Sequence, residues 1–176
     1  MRERPILFSG QMVRAILEGR KTQTRRMVKP QAAILTDEMA RGFGIRPPAV
    51  ENAPVIPCPY GQPGDRLWVR EAWAVHPETG SLLYRADDEA PADTRWKPSI
   101  HLPRKHSRIL LEMTSIRVER LQTISWEDAL AEGTDNDPAT TNAVGSFAKY
   151  WDYINGAEAW DMNPWVWVVG FKKVEV

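Results

Sequence analysis

The 176 residues carry 23 Lys and Arg against 23 Asp and Glu, a formal net charge of zero, and 43% of the chain is hydrophobic. That is the make-up of one water-soluble domain large enough to bury a core; no apolar run approaches the ~20 residues that span a bilayer, and the first residues lack the apolar stretch of a signal peptide. Cys58, the single cysteine, excludes an internal disulfide and argues against a cysteine-based zinc site, so the expected setting is cytoplasmic, with no membrane and no metal.

In chain order, residues 5–8 read as a short apolar strand. Ser9 or Gly10 can cap the helix that follows, where Met12, Val13, Ile16 and Leu17 share one face. Gly19 suits the left-handed position just past a helix end. Residues 22–28 then read as a strand, with Thr24, Arg26 and Val28 on one side and Arg25 and Met27 on the other. Residues 31–63 are irregular, and their prolines exclude a long element in the second half; a short helix over 32–41 fits the pattern. Cys58, between Pro57 and Pro59, reads as a small loop thiol.

The turn Pro63-Gly64-Asp65 opens a long strand over 66–75, and Glu78-Thr79-Gly80 turns it into a second strand over 81–85. Residues 86–107 form a second long loop. Residues 108–121 are strongly strand-like. Ser125-Trp126-Glu127-Asp128 resembles a capping box opening a short helix that stops at Gly133. Residues 141–155 read as a helix with Phe147, Tyr150, Trp151 and Ile154 on one stripe, and 165–171 as a closing strand. Five or six strands in mixed order, without a βαβ rhythm, argue against a doubly wound sheet; the expectation is an α+β fold, a small closed mixed β-barrel with peripheral helices.

Net neutrality conceals an asymmetry. Residues 1–29 hold eight cations and two acids, residues 95–108 five cations and no acid, and residues 119–161 nine acids against Arg120 and Lys149. The two basic segments either form one face for a polyanion or are separate solvated faces balanced by the acidic half.

The richest stretch is Gly19-Arg20-Lys21-Thr22-Gln23-Thr24-Arg25-Arg26. It places a hydroxyl among cations where a glycine lets the chain turn. Such an arrangement holds an anion or activates a threonine. Thr24 is a poor nucleophile unless a base takes its proton. Lys21 can be that base only with a depressed pKa, which burial and the neighbouring Arg20, Arg25 and Arg26 would favour. Otherwise Lys21 and Arg26 bind an anion and Thr24 donates to it. Arg26 can also stabilise an oxyanion or grip a phosphate.

Several other residues invite a role. Glu132, in the last turn of its helix, opposes the helix dipole, and nothing local requires it there. Arg70 and Glu71 lie on opposite sides of their strand, so at most one faces a pocket; Glu71 is the second-choice carboxylate. Trp165, Trp167, Trp68 and Trp151 have core spacing, whereas Trp96 lies in a basic loop without apolar pattern and is the candidate for base stacking, beside Lys97, His101 and Arg104. Three scattered histidines give no metal-ligand spacing.

These pieces in this order resemble the ASCH domain family, of the PUA-like superfamily. The resemblance is carried by Gly19-x-Lys21-x-x-Thr24-x-Arg26 after a strand and helix, and by Gly64-Asp65 before Leu67-Trp68-Val69. The strand 109–118, the helix end Ala129-Leu130-Ala131-Glu132-Gly133 and the closing strand to Phe171-Lys172 complete it. The segments PGDRLWVREAW and NPWVWV are similar to those of phage and prophage members. The resemblance implies a PUA-like barrel whose cleft takes RNA, a nucleotide or a modified nucleoside, with no cofactor. Some compact members are amidohydrolases that deacetylate N4-acetylcytidine with a Lys, a Thr and a Glu, roles that fall here on Lys21, Thr24 and Glu132. Others are linked to RNA binding or ribonuclease activity. The long loops before Gly64 and over 86–107 depart from the compact pattern.

Overall fold

The computed structural model describes residues 1–29, 44–45, 56–87, 90–134 and 142–174. Its strands are β1 (Glu3–Leu7), β2 (Gln23–Met27), the two-residue pair β3 (Gly44–Ile45) and β4 (Ile56–Pro57), β5 (Arg66–Arg70), β6 (Trp73–Val75), β7 (Leu82–Tyr84), β8 (Leu110–Arg120) and β9 (Trp165–Val174). Its α-helices are α1 (Gly10–Leu17), α2 (Trp126–Ala131) and α3 (Ala143–Asn155). The short helix expected over 32–41 lies outside the described residues. None of the described helices is long and apolar enough to cross a membrane.

Five strands form one sheet in the order β1-β5-β8-β9-β2, with β1 and β5 parallel and the other pairs antiparallel. The sequence of β9 explains its central place. It is apolar on both faces, and every residue from Trp165 to Phe171 is buried. Trp165, Trp167, Val169 and Phe171 enter one core with α1 and the inner residues of β1, β5 and β8. Val166 and Val168 enter a second core with Ala129 of α2 and Phe147 and Trp151 of α3. The alternation of side chains along one strand thus serves two layers.

The expected long strand over 66–75 is broken in two. β5 stays in the main sheet, and Trp73 begins a separate hairpin in which β6 pairs with β7. The break falls at Glu71, a buried carboxylate drawn to Arg108.

The barrel expected from the strand count does not close among the described residues, because β1 and β2 remain the two edges of the sheet. They are nevertheless brought to one place. Both line a single cavity, and Arg26 Nη2 of β2 donates to Leu7 O of β1 at 2.7 Å. A side chain, not a backbone ladder, joins the seam.

Candidate functional site

Two helix exits build the site. At the end of α1, Gly19 has φ +76°; its N–H donates to Ile16 O and the Arg20 N–H to Ala15 O, the glycine-dependent pattern that turns a chain out of a helix. At the end of α2, Gly133 has φ +77° and its N–H donates to Leu130 O. The two exits lie against each other. Lys21 N donates to Ala15 O and Thr22 N to Ala131 O. A methyl group on Gly133 would come within 2.8 Å of both the Ala15 and Lys21 Cβ atoms. Only a glycine permits so close a crossing, and it delivers Lys21 to Glu132 across 111 residues of sequence.

Lys21 is only 4% exposed and Glu132 only 3%. Lys21 Nζ donates to Glu132 Oε2 at 3.0 Å, to Glu132 O at 2.8 Å and to Gln23 O at 2.8 Å. Its three hydrogens therefore meet three acceptors. Burial, ahead of the opposing attraction of Glu132, holds the Lys21 ammonium below its ordinary pKa of 10.5, and the charges of Arg26 and Arg25 add to the lowering. The other carboxylate oxygen, Oε1, accepts from Arg25 Nη1 at 3.0 Å. Two cations thus offset the unfavourable placement of Glu132 at a helix C-terminus.

Arg25 is itself buried and has two further acidic partners, Glu119 of β8 and Asp128 of α2, the latter at 2.7 Å. Arg117 bonds the same two carboxylates from the surface side. Burial opposes charge on Asp128, but Arg25 and Arg117 outweigh it and hold its carboxyl below the usual range.

Thr24 follows on β2 and is 2% exposed. Its hydroxyl has no hydrogen-bond partner among the described residues. Lys21, Thr24, Arg25, Arg26 and Glu132 all line one cavity of about 540 Å³, within the range of small-molecule sites. Its walls are largely apolar and aromatic: Phe8 and Met12 on one side, Tyr60, and Phe147, Tyr150 and Trp151 of α3 on the other. Ser9 and Tyr150 bridge the cavity lining through a hydroxyl pair at 2.7 Å. The Arg26 guanidinium lies 5.2 Å from the centre of the Phe8 ring. Arg25 Nε and Trp151 Nε1 are buried donors with no acceptor among the described residues.

The remaining candidates do not line this cavity. Arg20 is exposed and pairs with Glu18. Arg70 lies over the Trp68 ring at 5.3 Å. Glu71, 1% exposed, is gripped through both oxygens by Arg108, which also holds both oxygens of Asp87. Neither Arg70 nor Glu71 faces the pocket. Trp96 is half-buried, and Lys97 is held by backbone bonds to Trp73. His101 is exposed, although Ser99 of the same turn reaches the cavity rim. Arg104 is exposed and pairs with Glu3. Burial pushes the Cys58 thiol up to about 11, which leaves it protonated at neutral pH. Among the described residues no group of three or more His, Cys, Asp or Glu side chains could hold a metal.

Sequence reasoning did not single out Phe8, Tyr60, Tyr150, Glu119 or Asp128. The stripe on α3 carried a signal, of which only Trp151 was read further, as core. The partners of Arg25 had a weaker one, a surplus of acids in the segment that supplies both Glu119 and Asp128.

No protein-family model matches the chain, and no curated protein matches it. Among solved structures, the crystal structure of a DUF984-family protein from Enterococcus faecalis is similar at 12% identity and a TM-score of 0.44, over 99% of this chain and 81% of that one. The crystal structure of an ASCH domain from Lactobacillus crispatus is similar at 11% identity and a TM-score of 0.44, over 98% of this chain and 79% of that one. These are likenesses in the course of the chain, at identities where no residue role carries over.

Proposed function

We propose that the cavity is an amidohydrolase site for an N-acylated nucleoside of the N4-acetylcytidine type, in a PUA-like, ASCH-type domain. The observation that carries this reading is the meeting of Lys21, Thr24 and Glu132 in one aromatic-walled cavity. A flat heteroaromatic base suits walls of Phe8, Tyr60, Tyr150 and Trp151. In the proposed reaction, neutral Lys21 takes the Thr24 hydroxyl proton as Thr24 Oγ bonds to the amide carbon. Arg26 stabilises the resulting oxyanion. The Lys21 ammonium then returns the proton to the amide nitrogen, the C–N bond breaks, and the amine leaves. Water hydrolyses the acyl-threonine with Lys21 again as base, releasing the carboxylic acid. Glu132 orients the lysine throughout.

A second reading, a module that binds an RNA base or modified nucleoside without cleaving it, draws on one observation. All three Lys21 hydrogens have acceptors, one of them a carboxylate, and that set favours the ammonium over the free base. Ribonuclease action through His101 has no such support, because His101 does not line the cavity. One assay separates the readings: turnover of N4-acetylcytidine and related N-acyl nucleosides by wild type, Lys21→Ala and Thr24→Val, with calorimetric binding alongside. Turnover lost in both variants supports the hydrolase. Binding of the acyl nucleoside without turnover in wild type overturns it in favour of the binding module.

A further inference from the structure

Arg25 does not belong to the G-x-K-x-x-T-x-R pattern, yet among the described residues lining the cavity it is the side chain bonded to the most carboxylates. It is 2% exposed and binds three carboxylates: Glu132 through Nη1, and Asp128 and Glu119 through Nη2. Those carboxylates come from α2, its C-terminal cap and β8, so the guanidinium ties three points of the fold to β2. Its Cζ also lies 5.9 Å from the centre of the Phe147 ring of α3. Glu132 divides its two oxygens between Arg25 and Lys21. A carboxylate free to rotate could offer Lys21 either oxygen, or a bifurcated bond; with Oε1 fixed to Arg25, only Oε2 remains.

We propose that Arg25 is a positioning residue for the Lys21–Glu132 pair, fixing the carboxylate orientation and setting, with Glu119 and Asp128, the charge that Lys21 experiences. The inference rests on the hydrolase reading for its kinetic consequence, but not for its structural one. The charged and titratable groups around Lys21 come from every neighbouring element: Arg25 and Arg26 on β2, Glu132 and Asp128 of α2 and its cap, Glu119 and Arg117 on β8, Tyr150 on α3, and Tyr60. Arg25 is the cation among them bonded to the same carboxylate as Lys21. Removing its charge favours the Lys21 ammonium. Removing the charge of Glu119 leaves Arg25 less neutralised and disfavours it.

The test follows the carbon-13 resonance of Lys21 Cε with pH in lysine-labelled protein, assigned by its absence from Lys21→Met. Parallel pH profiles of kcat and KM are taken for wild type, Arg25→Met, Arg25→Lys and Glu119→Gln. Arg25→Met is expected to move the Lys21 midpoint upward and Glu119→Gln to move it downward, with Arg25→Lys between Arg25→Met and wild type. Turnover by Arg25→Met at neutral pH should fall about tenfold for each pH unit of displacement and recover as pH rises, with KM within about twofold of wild type. Midpoints that stay put, or that move in the same direction in both variants, overturn the proposal, as does a kcat loss equal at every pH. If Arg25→Met does not fold, Glu119→Gln decides alone: a downward move supports the proposal and an unmoved midpoint sinks it. Opposite displacements without turnover of any N-acyl nucleoside would uphold the positioning role and reject the hydrolase reading.

Discussion

Lys21 and Arg25 come from one cation-rich segment of the chain, Arg104 and Arg108 from the other. The first two are buried and face carboxylates across a cavity wall. The second two are held on the outside, Arg104 by Glu3 and Arg108 by Glu71 and Asp87. Similar local charge therefore has opposite outcomes, and the difference lies in where the acids come from. The acidic half supplies Glu119, Asp128 and Glu132 from the face of the sheet that α2 covers, drawing cations inward. Glu71 lies inside and reaches outward to Arg108, so that the loop over 90–108 is latched against β5 and the hairpin. These four cations are thus paired in two separate networks.

The contrast is sharpest at the two buried glutamates. Glu132→Ala leaves Lys21 without its carboxylate and Arg25 with one bond fewer in a closed interior. Removing one partner from a buried charge cluster of this kind costs about 3–5 kcal/mol, and the proposed turnover should vanish with it. Urea denaturation and the acyl-nucleoside assay read both effects. Gly133→Ala comes next. It forces a β-carbon into a left-handed residue and to 2.8 Å from Lys21 Cβ, so the two helix exits must separate. Strain of about 1–3 kcal/mol is expected, with a kcat loss out of proportion to the fall in Tm. A Gly133→Ala protein that is destabilised but fully active would show that the close crossing serves folding alone.

Glu71→Ala tests the other side. Burial raises the Glu71 carboxyl against the pull of Arg108, and Arg108 keeps Asp87 and partial solvent contact when Glu71 is removed. The cost should be smaller, about 1–3 kcal/mol, and turnover per folded molecule should not change. A Glu71→Ala protein that lost catalysis while folded would return Glu71 to the functional residues and break the contrast between the two regions.

How much of this was legible in the sequence depends on range. The strand-helix-glycine opening, the Ser125 cap, α3 and β9 rest on local periodicity and turn chemistry, and they form with shifts of a few residues: α3 begins at Ala143 after an Asn142 cap, and β9 continues to Val174. Thr24 and Lys21 were visible because their motif is local, and Glu132 because its place at a helix end is locally unfavourable. The break after Arg70 was not visible, because it depends on Arg108, 37 residues away from Glu71. Arg25 was visible as one cation of an anion-holding stretch, but its partners are 94 to 107 residues distant, and no spacing rule reaches so far. The open seam of the sheet was invisible for the same reason: strand count does not reveal whether the last two edges meet by ladder or by side chain.

The smallest expected effect is at Lys97. Its backbone bonds to Trp73, at 2.7 and 3.2 Å, survive any side-chain change. What Lys97→Ala removes is an ammonium 4.6 Å from the Trp73 ring centre, worth about 0.5–1 kcal/mol at an exposed site. Turnover should match wild type, because Lys97 does not line the cavity. If oligonucleotides bind this loop, their affinity should fall and lose part of its salt dependence in the same variant, since each phosphate contact releases condensed counterions. The two measurements are independent. Unchanged turnover with weakened oligonucleotide binding would make the loop a separate polyanion contact beside a nucleoside cavity, whereas a loss of turnover would mean that the loop and the cavity act as one site.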